Sequence, residues 1–201
     1  MRLALSLSRA IDRMTSFVGR WVAWLIVVAA GVSALNAIIR KLFDTSSNAW
    51  LEAQWFLFGM VFLLCAPWTL SSNEHIRIDI VNNMLPNRAR NIIDVIGHTL
   101  FLMPMAAVLL YTSIPFFLNS FRLNEQSTNA GGLPQWPAKF FIPLGFALLF
   151  VQGISELIKR IAIMRGDLED TASGGGHHAA AEAEAKRLLE AVEEGQPATL
   201  K

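Results

Sequence analysis

Residues equipped for chemistry are few in this chain. His75, Arg77 and Asp79 set an imidazole, a guanidinium and a carboxylate on alternate positions. Arg77 can fork onto a carboxylate such as Asp79 or hold a lipid phosphate, and the trio reads as a structural anchor, not a substrate site. A membrane cytochrome needs paired imidazoles at matching depth to hold haem iron. Only His98 lies within an apolar stretch, with His177 and His178 far away near the C-terminal end, so packing is its expected role. Arg40 and Glu52 bracket a short polar segment, where an interfacial ion pair and separate headgroup charges both fit. Cys65 is the one cysteine and has no partner for a disulfide or a thiolate cage. There is no Ser/His/Asp set, no pair of intramembrane carboxylates and no phosphate-cradling glycine loop. The expectation is therefore a non-enzyme with no cofactor or metal of its own and no nucleic-acid partner.

The elements that carry these residues are long and apolar. Hydrophobic residues make up 53% of the chain and charged residues 16%, against about 45–50% and about 25% in soluble domains. The excess sits in separated blocks, as bilayer-crossing helices require. Residues 21–39, 53–73 and 95–121 hold no charged side chain, and a fourth apolar block runs from 140 to 155. Allowing for flanks, the spans are expected at about 17–40, 50–71, 92–118 and 138–160. Span one carries small residues at Ala23, Val27, Ala30, Ala34 and Ala37, a spacing that lets another helix approach closely. Pro67 predicts a kink in span two packed against protein. Span three holds Pro104 and Pro115 and is expected to be tilted, kinked or extended beyond lipid. Span four is the shortest, with Lys159 and Arg160 placed to snorkel to headgroups. All six tryptophans lie near span ends, where an indole satisfies both its ring and its N–H.

Outside the spans, residues 1–16 place Leu3, Leu7, Ile11 and Met14 at near-helical spacing, an amphipathic segment on the membrane surface. Arg9 interrupts that run too early for a signal peptide. Residues 71–91 carry Ile76, Ile80, Met84 and Leu85 at helical spacing and read as a second interfacial helix, though the alternation of His75–Ile80 also suits a strand. Ten Lys/Arg flank the membrane on the side of the termini and middle loop, against Arg40, Lys41, Arg122 and Lys139 on the other. The positive-inside rule then puts both termini in the cytoplasm. Residues 166–201 hold 3 basic and 8 acidic side chains, a flexible acidic tail with a marginal helix. The spans hold almost nothing ionisable, which argues against a self-sufficient ion-coupled transporter. A free-standing four-helix redox carrier or enzyme membrane anchor is the alternative.

Three segments resemble the small membrane subunit of the tripartite ATP-independent periplasmic (TRAP) transporters, the DctQ-like family. They are Asn36–Glu52 with Arg40, Trp50 and Glu52; Gly59–Asp79 with His75, Arg77 and Asp79; and 125–145, with Glu125, Gly131-Gly132-Leu133-Pro134-Gln135-Trp136-Pro137, Pro143 and Gly145. The likeness covers about residues 15–165, and the glycine- and proline-rich stretch looks like a keto-acid, mannitol or chloroaromatic branch. Resemblance implies a scaffold of four spans with cytoplasmic termini in a bacterial inner membrane. It also implies a large DctM-like permease subunit holding substrate and sodium, a periplasmic solute-binding protein, and surrounding membrane lipids. Where many members carry paired acids entering span two, this chain has Glu52-Ala53-Gln54, so no role for a second acid carries over.

Overall fold

A computed structural model describes residues 2–44, 47–72 and 87–168. Of the helix expected over 71–91, residues 73–86 fall outside the described residues, and with them His75, Arg77 and Asp79, as does nearly all of the acidic tail. The helices are α1 (Arg2–Ala23), α2 (Leu25–Phe43), α3 (Asn48–Ser71), α4 (Asn87–Gly97), α5 (Met103–Arg122) and α6 (Trp136–Met164). A single wide turn, His98–Leu102, joins α4 to α5. Counting α1 with α2 and α4 with α5 as continuous rods, four helices are long and apolar enough to cross a membrane. Among the described residues all repeating structure is helical, so the chain is an all-α, multi-pass membrane protein.

The bundle is polar within and apolar without. Its buried residues include Ser8, Thr15, Glu52, Asn91, Gln152, Ser155, Glu156 and Arg160, while the buried hydrophobics among the described residues are the small Ala29, Ala106 and Ala162 with Leu64 and Leu70. Lipid tails solvate leucine as well as a core does, so association relies on close packing and interhelical hydrogen bonds. The centre is α6, 28% of whose most apolar window is buried against 6–11% in the other three spans. It packs on α5, α3 and α1.

Close approach of α6 to α3 depends on one glycine and one proline. Pro67 inside α3 has no N–H to give the carbonyl four residues back, that of Leu63. Gly145 of α6 lies against this point: a Cβ there would stand 2.8 Å from the Leu63 Cβ and 3.0 Å from its carbonyl oxygen. Pro67 itself is buried in the packed interior. In span three the wide turn absorbs Pro104, with the Met103 amide reaching back five residues to the His98 carbonyl, which opens the ring-clash position that an ordinary turn would present.

Three expectations are corrected here. The amino-terminal segment is a helix to Ala23, not to residue 16, and it packs on α3 and α6. Its polar positions Ser8 and Thr15 face inward, and Leu3, Leu7, Phe17 and Trp21 face out, because the polar stripe of α6 offers it hydrogen bonds that lipid does not. The small residues Val27, Ala30, Ala34 and Ala37 are exposed. The opposite side of α2, centred on Ala29, meets α3. Finally, span four is not the shortest: α6 continues through its charged residues to Met164, where those side chains bond neighbouring helices.

Candidate functional site

Polar groups gather at two places, one at each end of the bundle. At the first, the loop joining α5 to α6 folds back onto the start of α3. The loop closes on itself through an isolated antiparallel bridge between Gln126 and Pro134. The Gln135 amide donates to the Glu125 carbonyl at 2.8 Å and the Ser127 amide to the Leu133 carbonyl at 3.2 Å. Gly131 turns the chain with φ +71°, a conformation that glycine adopts without a Cβ penalty.

Glu52 is the centre of this arrangement. It is only 4% exposed and accepts from three donors of the loop. Oε1 receives the Ser127 hydroxyl and, at 2.8 Å, the Asn129 amide; Oε2 receives the Leu133 backbone N–H at 2.6 Å. Asn48, one turn earlier, donates to the Ala130 carbonyl at 2.9 Å. Gly132 makes the fit: a Cβ there would lie 2.5 Å from the Ser127 Cβ and 2.8 Å from Glu52 Oε1. The carboxylate is thus occupied as an acceptor on both oxygens, a clasp and not a general base. Arg40 does not pair with it. Among the described residues that guanidinium has no ion pair, and the Glu52 oxygens are held by the loop donors. The two charges therefore stand apart.

The remaining sequence candidates of this end lie beside the clasp. Glu125 pairs with Lys139, whose ammonium also sits 4.3 Å above the Phe116 ring. That ammonium holds the Glu125 carboxyl below the usual glutamate range. Trp136 opens α6 and meets Phe121 edge-on at 5.3 Å. Pro134 forms the bridge already described, Pro143 lies inside α6 and Gly145 at its crossing with α3. Trp50 stands half-exposed on the first turn of α3.

At the opposite end, α6 presents Gln152, Ser155, Glu156, Lys159 and Arg160. Gln152 accepts from the Thr15 hydroxyl at 2.8 Å and donates to Asp12 Oδ1 at 2.8 Å and to Glu156 at 3.2 Å. Ser155 donates to the same Asp12 oxygen at 2.8 Å and lies 2.7 Å from the Ser8 hydroxyl. Lys159 bridges Asp12, at 3.1 Å, and Glu156. Arg160, 3% exposed, turns to the other side and pairs with Asp94 at 3.1 Å and the Asn91 side chain at 3.2 Å. Lys159 and Arg160 therefore tie helices together, a correction to the snorkelling expected of them. Their spacing with Gln152 and Ser155 (i, i+3, i+7, i+8) is one helical stripe, and Ser8, Asp12 and Thr15 repeat that period on α1. That matching pair of stripes was the readable signal for this end.

No group of three or more His, Cys, Asp or Glu side chains converges to hold a metal among the described residues. His98 Nδ1 lies 2.7 Å from the Asp94 carbonyl, within its own helix. Both polar clusters thus join elements of the protein to one another.

Comparison with curated proteins yields no match, and neither does comparison with solved structures. Comparison with protein families matches residues 29–162 to one described as "Tripartite ATP-independent periplasmic transporters, DctQ component". That stretch includes the Glu52 clasp, the α3–α6 crossing and the whole α6 polar stripe, so this chain belongs to the DctQ family and is the small membrane subunit of a TRAP transporter.

Proposed function

We propose that this subunit is a scaffold without a transport site, bound to a large DctM-like permease subunit in a bacterial inner membrane. The observation that carries this reading is the fate of its polar side chains. Glu52, Asp12, Gln152, Glu156, Lys159 and Arg160 are all engaged by this chain's own residues, whereas a midplane substrate or ion site needs polar groups left open. The large subunit then supplies the substrate and sodium sites, and a periplasmic solute-binding protein delivers an organic acid or related small solute. Uptake runs on an ion gradient. The excess of basic residues around the α1 end supports placing that end, with both termini, in the cytoplasm. The Glu52 clasp then faces the periplasm, on the side where the binding protein docks. No cofactor or catalytic step is assigned to this chain.

The test is reconstitution. Liposomes carrying this chain alone should show no sodium-driven uptake of organic acids, and liposomes carrying it with the large subunit should show uptake once the loaded binding protein is added. Co-purification of the two membrane chains is the accompanying expectation. Uptake by this chain in isolation, or transport by the large subunit that is indifferent to its presence, would overturn the reading.

A further inference from the structure

The exposed half of α1 has two distinct sides, and neither takes part in the polar stripe that binds α6. One carries the apolar side chains Leu3, Leu7, Met14, Phe17 and Trp21. The other carries Arg9, Arg13 and Arg20. A helix whose outer surface is split in this way suits the boundary between acyl chains and headgroups. The charge is not neutralised locally. Asp12 is the only acid on α1, and it is turned inward to Gln152, Ser155 and Lys159. Neither Arg13 nor Arg20 has an ion-pair partner among the described residues.

Where the two sides meet, at the break between α1 and α2, there is a groove of about 410 Å³ lined by Arg13, Ser16, Phe17, Arg20, Trp21 and Trp24. These residues follow Arg13 at i+3, i+4, i+7, i+8 and i+11, one continuous strip of helix surface. The two guanidinium groups stem from positions about 10 Å apart along the axis, and Ser16, between them in the chain, lines the same groove. Long arginine side chains folding toward that centre present several N–H donors to one tetrahedral anion. Phe17, Trp21 and Trp24 are each about two-thirds exposed, at 64%, 64% and 67%, and form an apolar rim.

We propose that this groove binds the phosphate of an anionic phospholipid, held by Arg13, Arg20 and Ser16, with the three aromatic rings against the glycerol and upper acyl chain. The rim decides between lipid and free phosphate: an inorganic anion makes no use of three exposed rings, and an acyl chain does. Asp12 and Lys159 lie on the inward side and leave the groove net positive. The residues lie before the family match at 29–162, so the proposal stands on this chain's own geometry and on its being a membrane protein.

Tryptophan quenching by brominated-acyl lipids tests it on the full chain in detergent. Brominated phosphatidylglycerol should half-quench the accessible fluorescence at roughly a thirtyfold lower mole fraction than brominated phosphatidylcholine, the scale expected for two arginines meeting an anionic headgroup. The double variant R13Q/R20Q should lose that preference, and R165Q, altered at an exposed arginine outside the groove, should keep it. Trp21→Phe with Trp24→Phe should remove most of the lipid-specific quenching, which locates it. Circular dichroism reports whether the double variant folds; if it does not, R13Q and R20Q singly should each show a partial loss. Equal quenching by the two lipids in the unaltered chain overturns the proposal, as does a preference that survives R13Q/R20Q. Displacement of the phosphatidylglycerol signal by millimolar inorganic phosphate overturns the lipid assignment in favour of a free-anion site.

Discussion

A buried carboxylate with three donors aimed at it fixes its neighbours as firmly as they fix it. Replacing Glu52 by alanine removes the acceptor shared by the Ser127 hydroxyl, the Asn129 amide and the Leu133 N–H; Ser127 and Leu133 are half-buried, and donors that water reaches only in part are costly to leave unpaired. E52A should lower the melting temperature in detergent by several degrees and make the 123–135 loop sensitive to protease, and E52Q should fall between it and the unaltered chain. The Glu125–Lys139 pair gives a pH signature. The folded carboxyl is held below its ordinary value by Lys139, so its contribution is complete at neutral pH and is lost as pH falls through the folded value. K139M should lower the melting temperature at neutral pH and flatten the acid limb below about pH 5, so that the two profiles converge in acid. Of this end, Glu52, Glu125, Pro134 and Trp136 were legible in the sequence as members of a resemblance. The partners were not: Glu52 is 81 positions from the Leu133 amide, a backbone donor that no residue type advertises, and the nearer Arg40 was the chemically obvious alternative.

Among the helices, small residues decide which surfaces meet. Substituting alanine for glycine within a helix ordinarily stabilises it by about 1 kcal/mol. At Gly145 the sign should reverse, because the new methyl meets Leu63 at 2.8 Å and forcing atoms into a packed crossing costs roughly 1–3 kcal/mol. Thermal unfolding of G145A checks the direction, and hydrogen exchange should rise in both α3 and α6. Q152L tests the other end. It preserves bulk but removes the link among Thr15, Asp12 and Glu156, so exchange should rise along α1 while α5, which does not touch that link, stays protected. Hydropathy made the apolar character and number of the spans legible because it depends on composition alone. It could not give helix faces. The small stripe of α2 pointed outward, and the charged end of α6 was read as a span terminus, since a polar residue near a span end has the same signature whether it meets headgroups or another helix.

Among the described residues the molecule buries little apolar surface within itself, and exposed large hydrophobics occur on every one of its long helices. Such a surface is at rest only against lipid or a second membrane protein. Anything that binds the folded state alone stabilises it by mass action, so co-expression with the large permease subunit should raise the thermal midpoint of this chain in detergent, read as the temperature at which its own peptides lose hydrogen-exchange protection. An unchanged midpoint in a co-purified pair would mean contact without coupling. The placement of the two polar clusters has a mechanical result. Helices in a bilayer slide past one another readily when only methyl groups touch, yet here the bundle is riveted near both mouths, at Glu52 and at Gln152, with smooth packing between. Sliding α6 along its axis past α1 and α3 would have to tear both rivets together.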